Sequence, residues 1–326
     1  MAPFSSTPAG TGIGGVIHQV VEKYLPSVFN HYALQFVTVL LPALVAHTCW
    51  RDTVCELRTA SFSGPWESYM HSPASRTVSP VKILSENHMI LSPYPGPAAL
   101  NSNGSLLIFD FGQEVGGTIT LNYAATGTGN LGLAFSEARN WTGEASDGSN
   151  GSYLPGGDGA LLTPVSKTTN GVYTVPDASL RGGFRYLSVF TTANSTIDVQ
   201  ITAVALEIAF QPTWSDLRAY GGYFYSNDDL INRIWYAGAY TLQTSAVPPK
   251  TGREYPLLEY GWKNDAFLGT NGSSILVDGS KRDRATWSGD LGIALPSVFV
   301  STGDYTSAKT ALQLQYDLQV CFPFFG

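Results

Sequence analysis

Residues 277–290, VDGSKRDRATWSGD, place Asp278, Lys281, Arg282, Asp283, Arg284 and Asp290 around Trp287. Six of these fourteen residues are charged, against 13 % of the whole chain. Crowded carboxylates raise the pKa of one member, while a neighbouring cation such as Arg282 keeps another ionised. That combination yields a proton-donating acid beside carboxylates that stay charged. Trp287 adds a flat apolar face suited to a sugar ring. Acids with an aromatic platform, and no His or Cys among them, are groups that glycoside hydrolysis uses. On spacing alone a second reading stays open, an ion-pair network that closes a loop with Trp287 in the core.

Other chemistries fit less well. Three carboxylates can hold calcium, but the alternate-position acids and closing Glu of an EF-hand are missing, so no metal is expected. All five histidines (His18, His31, His47, His71 and His88) precede residue 90, and no Gly-x-Ser-x-Gly elbow occurs, which argues against a Ser-His-Asp triad. Cys49, Cys55 and Cys321 are too few for a zinc cluster or a disulfide framework, although a small Cys49–Cys55 bridge is possible. GTGIGG at residues 10–15 matches a dinucleotide fingerprint by letter, but MAPFSSTPA cannot supply the strand that must feed it. No cofactor is expected. The net charge of −7 argues against nucleic acid, whose phosphates need a basic surface.

The elements that must position these residues change along the chain, whose length and 44 % hydrophobic content suit two cores. Residues 1–65 read as an atypical extension. Residues 66–211 carry period-2 runs (SLLIFDF, GTITLNY, LGLAF, FRYLSVF) between turn residues, the pattern of an antiparallel β-sandwich. The glycine-rich residues 142–160 can only be a long surface loop. Residues 212–326 turn helical. Leu230, Ile231, Ile234, Trp235 and Ala237 fall on one helical stripe, with a box-like start from Ser226 and Asp229. Further helices are expected over 289–300, with Pro296 kinking or delaying it, and over 306–320.

Asn103, Asn140, Asn150, Asn194 and Asn271 each open an Asn-x-Ser/Thr sequon, which favours a secreted glycoprotein. The apolar run 33–46 ends in small residues like a displaced signal peptide, and is too short for the roughly 20 residues of a membrane span. If that run is instead a buried helix, a cytoplasmic location follows.

Residues 277–290 also resemble the signature of α-L-rhamnosidases of the six-hairpin type, glycoside hydrolase family 78, in its fungal-type branch. FDFGQEVGGTITLNY (109–123), FSEARNWTGEASDGSNG (135–151), GGFRYLSVF (182–190) and YFYSNDDLINRIWYAGAYTLQ (223–243) are similar to further segments of that branch, in the same order. The resemblance covers about residues 65–318. It implies a β-sandwich followed by an (α/α)6 barrel that removes terminal α-L-rhamnose with inversion, from a small molecule or a polysaccharide. It makes Asp283 the general acid, with Asp290 as runner-up. Asp278, Arg282 and Asp290 would hold sugar hydroxyls, and Trp287 would line the pocket. Many family members carry Glu at the acid position, where this chain reads Arg282-Asp283-Arg284.

An inverting glycosidase also needs a second carboxylate to activate water. In the family it comes from a later part of the barrel. Twelve helices need well over roughly 200 residues, and residues 226–326 leave room for three or four. The chain is therefore expected to be an incomplete member that holds the first hairpins and lacks the general base. A catalytically inactive carbohydrate-binding or interaction protein built on the sandwich is the alternative from a different class.

Overall fold

The computed structural model describes residues 49–51, 53–58, 63–101, 104–149, 158–192, 196–253 and 261–319. The chain divides into two units, Met1–Ala46 and His47–Gly326, and every described residue belongs to the second. The glycine motif 10–15, the apolar run 33–46, Asn103, Asn150, Asn194 and Cys321 lie outside the described residues.

The period-2 runs form one antiparallel sheet of eight strands. In chain order these are β1 (Thr77–Val78), β2 (Lys82–Ser85), β3 (Ile90–Pro93), β4 (Ala99–Asn101), β5 (Leu106–Ser136), β6 (Leu161–Thr174), β7 (Arg181–Thr191) and β8 (Asp198–Ile208). β5, 31 residues long, takes in three of the runs expected as separate strands of the sandwich, and its two ends, 106–110 and 131–136, flank the same stretch of β7. It pairs with β2, β6, β7 and β8. Its irregularities let it change partners. At Gly117 the backbone takes φ +153°, and a Cβ there would stand 1.9 Å from the Glu207 carbonyl oxygen, so only glycine allows this crossing of β8.

Alternation decides which side chains enter the core. On β8, Val199 and Ile201 are buried, and then Val204, Leu206 and Ile208 take over with the phase shifted by one residue. The shift coincides with a register irregularity opposite Asn122 and Tyr123, as a β-bulge requires. Ile83, Phe109, Leu121, Leu131, Leu187 and Leu206, with no measurable exposure, meet in the main core. Full burial of such side chains contributes about 1.5–3 kcal/mol each. The opposite face holds a smaller cluster of Leu84, Leu106, Ile108, Ala134, Tyr186 and Phe190.

Among the described residues three α-helices follow: α1 (Asp229–Thr244), α2 (Ser288–Val300) and α3 (Tyr305–Gln319). Their positions match the expected ones, and α2 contains Pro296. Two details differ. Asp228, not Ser226, caps α1, its carboxylate accepting from the N–H groups of Leu230 and Ile231. The aliphatic stripe of α1 faces outward, with Leu230 at 64 % and Ile234 at 62 % exposure. The buried stripe is Asn232, Tyr236, Ala239, Tyr240 and Gln243. Tyr236 stacks with Trp66 and Tyr69. Tyr240 Oη donates to the Glu114 carbonyl at 2.7 Å, which ties α1 to β5. Rings with polar tips fill the core while satisfying buried acceptors, which Leu and Ile cannot do.

Between α1 and α2 lies a two-stranded ladder, β9 (Ala246–Val247) against β10 (Ile275–Leu276). Its residues join Val277, Leu291, Val298, Ala311 and Leu314 in a second small core. Cys49 and Cys55 form a disulfide that encloses only a short loop. Among the described residues no helix is long and apolar enough to cross a membrane.

Candidate functional site

Strand β10 ends at Leu276, and the charged loop begins two residues later. The loop is stitched at its neck. Asp278 N–H donates to the Ala285 carbonyl at 2.9 Å, and Ala285 N–H returns a bond of 3.0 Å to Asp278 Oδ1. At the far end the backbone turns sharply, with Asp283 at φ +54° and Arg284 at +48°. Two successive non-glycine residues in the left-handed region cost about 1–3 kcal/mol each, and such strain clusters at functional sites.

The turn gives the two arginines that flank Asp283 opposite surroundings. Arg282, expected to hold sugar hydroxyls, has a side chain 68 % exposed. Arg284, to which no role was given, is fully buried. It donates to the carbonyl oxygens of Thr251 and Ser280 and to Thr251 Oγ1, locking the loop onto the preceding segment. Burial pushes its guanidinium down to about 9, with Asp278 acting the other way.

The three carboxylates come together electrostatically. Burial above all, with the charges of Asp283 and Asp290, pushes the Asp278 carboxyl up to about 6 against the opposing N–H groups of Ala285 and Gly279. Asp283 has a side chain 16 % exposed, and its Oδ1 lies 3.8 Å from Arg282 Nε. That is too long for a hydrogen bond, so Oδ1 is buried with no hydrogen-bond partner among the described residues. Asp290 stands in the first turn of α2, where the helix dipole favours an anion. Trp287 is the residue before α2 and is 41 % exposed.

Asp278 and Asp290 face a cavity of about 710 Å³ between α1 and α2, together with Trp235, Leu242, Ile293 and Ser297. Asp283, Arg282 and Trp287 are not among the residues lining it. Cavities of this size accept small ligands. The site therefore has an apolar wall from α1 and two acids on the opposite side. Among the described residues no group of three His, Cys, Asp or Glu is arranged to hold a metal ion. Of the sequons, Asn140 and Asn271 are exposed.

The state of Asp278 gives a testable sign. Its folded pKa lies above the usual carboxylate value, so the folded protein holds a proton that the unfolded chain releases near pH 4. The stability it contributes is present below about pH 4 and is lost as pH rises through about 6. Asp278→Asn, which is neutral at every pH, should therefore raise Tm at pH 7.5 and leave it nearly unchanged at pH 4. Thermal melts across this range read the effect directly, and an equal change at both pH values would contradict the burial of Asp278.

No family model matches the chain, and no curated protein matches it. Among solved structures it is similar to a rhamnosidase from Klebsiella oxytoca with rhamnose bound, at 16 % identity and a TM-score of 0.47, covering 76 % of this chain and 45 % of that one. It is also similar to the glycoside hydrolase family 78 rhamnosidase of Bacillus sp. GL1, at 18 % identity and a TM-score of 0.48, covering 68 % of this chain and 19 % of that one. A third likeness is to a family 32 carbohydrate-binding module of AlyQ in complex with 4,5-unsaturated mannuronic acid, at 14 % identity and a TM-score of 0.27, covering 40 % of this chain and 96 % of that one. The chain spans less than half the length of either rhamnosidase. Likenesses of this extent do not assign an activity.

Proposed function

We propose that this chain binds a terminal α-L-rhamnosyl group and carries the acid half of an inverting glycosidase site. The sandwich would extend to about residue 211, and 212–326 would form the first hairpins of an (α/α)6 barrel. One observation carries this reading: Asp278 and Asp290 line one cavity, with Asp283 close enough to act on Asp278, whose carboxyl is pushed up to about 6. Structural ion-pair networks pair their carboxylates with cations, whereas this loop holds a carboxyl partly neutral beside two others. The sequence resemblance of residues 277–290 supplies the substrate class. Secretion and glycosylation belong to the same proposal, supported by the sequons and the apolar run 33–46.

Asp283 is proposed as the general acid, supported by its strained turn and its buried oxygen without a hydrogen-bond partner. Asp278 and Asp290 would hold sugar hydroxyls, with Arg282 and Trp287 closing over the bound sugar. The decisive measurement is titration of the chain with L-rhamnose by calorimetry, alongside an assay on an aryl α-L-rhamnoside. Binding that is lost in Asp290→Asn supports the site. Binding without turnover fits an acid half that lacks its base, whereas binding that survives Asp290→Asn selects the alternative, a carbohydrate-binding protein. Neither binding nor turnover rejects the proposal.

A further inference from the structure

The carboxylate loop is built against the sheet rather than projecting from the helices. Glycine 182 on β7 touches it so closely that a Cβ would stand 1.7 Å from the Ser280 carbonyl oxygen and 2.5 Å from Arg284 Nη1. Ser280 Oγ donates to Glu114 Oε1 on β5 at 3.0 Å. Lys281 Nζ lies 2.9 Å from Glu137 and 3.2 Å from Asp147, and its side chain is only 12 % exposed. Asp147 is in turn held by the buried Arg181 of β7, which also pairs with Asp158 at 2.6 Å. The side chains of the two residues between Gly279 and Arg282 are thus fixed by partners from the sheet and its loops.

Resting on the reading above, we infer that Lys281 is a positioning residue: its ion pairs with Glu137 and Asp147 hold the loop so that Asp278, Asp283 and Asp290 share one site. The ammonium is well suited to this work. Nearly buried, it faces two carboxylates, and a long side chain with one cation can bridge both while leaving the loop backbone free to turn. Glu114 reinforces the same anchor through Ser280. Burial and the charge of Glu137 push its carboxyl up, while the Ser280 bond and Lys281 oppose this. Remove Lys281, and Glu137 and Asp147 lose the cation that ties them to the loop, which loosens the loop from the sheet. Water then reaches Asp278.

The test uses the whole chain and two readouts. Carbon-13 NMR of the aspartate carboxyls follows the Asp278 titration, and calorimetry follows L-rhamnose binding. In Lys281→Met the Asp278 midpoint should fall from about 6 toward the ordinary value near 4. Rhamnose affinity should drop by about tenfold or more, as displaced site groups do. Lys281→Arg, which keeps the cation, should restore both. Glu137→Gln removes one partner at a half-exposed position that folding tolerates, and should shift the midpoint the same way by less. An unchanged midpoint in both folded Lys281→Met and Glu137→Gln overturns the inference, as does a shift that Lys281→Arg fails to reverse. If the wild-type chain does not bind rhamnose, the functional reading fails, while the titration still decides whether Lys281 holds the loop.

Discussion

In an enzyme whose complete barrel supplies the general base, replacing Asp283 by Asn should lower kcat by about 10²–10⁴-fold on an alkyl rhamnoside, whose leaving group must be protonated as it departs. On a dinitrophenyl rhamnoside, whose leaving group needs no proton, the loss should stay below about tenfold. This contrast identifies a proton donor, because a group that only binds sugar slows both substrates alike. Asp278→Asn is the necessary comparison. Asp278 is the carboxyl that its surroundings push up to about 6, so electrostatics alone would favour it as donor. The proposal gives it a binding role, and its variant should raise KM with little dependence on the leaving group. The opposite pattern, with Asp278→Asn sensitive to the leaving group and Asp283→Asn not, would exchange the two roles.

The second large effect concerns stability. Arg76 is 6 % exposed and its guanidinium gathers four carbonyl oxygens: Ile208 at 2.9 Å, Phe210 at 3.2 Å, Gln211 at 2.8 Å and Trp214 at 2.8 Å. Burial pushes it down to about 10, so it remains a cation at neutral pH. These acceptors lie where the chain leaves β8 and heads toward α1, a stretch that forms no ladder of its own. Arg76→Met keeps the length and removes every donor, leaving buried carbonyls that water cannot easily reach. Such groups cost about 1–3 kcal/mol apiece, and breaking a buried charged contact costs about 3–5 kcal/mol in all. Urea unfolding should show a loss in that range, with only partial recovery in Arg76→Lys. A loss below about 1 kcal/mol would mean that the connection is held by Trp214 and its neighbours instead.

Much of the architecture could be read from residue order. Period-2 runs located the strands, and the three helices fell where their patterns placed them, because local periodicity reports local structure. What could not be read is which face each element turns inward. On α1 the aliphatics Leu230, Ile231 and Ile234 outrank Asn232, Tyr236 and Gln243 by hydropathy, yet the latter are buried because the carbonyls of Ser226, Phe224 and Leu217 meet their polar tips. Hydropathy alone does not record a waiting partner.

The site divides in the same way. Three carboxylates in one short loop were visible as a cluster, and the loop does bring Asp278 under the influence of Asp283 and Asp290. The supports were invisible, since Ser280 meets Glu114 across 166 residues of chain and Lys281 meets Asp147 across 134. The contrast between exposed Arg282 and buried Arg284 was equally hidden. It depends on a left-handed turn at residues 283 and 284 that neither Asp nor Arg announces. One signal was available: GGF at 182–184 pairs two glycines inside a strand, which marks a close approach of another backbone.

The single long strand β5 has a consequence for how the protein comes apart. Because it is the shared neighbour of β2, β6, β7 and β8, none of them can peel away far without exposing part of its backbone. Through Glu114 and its contacts with Tyr240 and Ser280, the same strand also anchors α1 and the acid loop. Heat should therefore melt sheet and site together in one cooperative step, with calorimetric and van't Hoff enthalpies in agreement. A molecule wired this way has no partly unfolded form in which the acids keep their geometry while the sheet is lost.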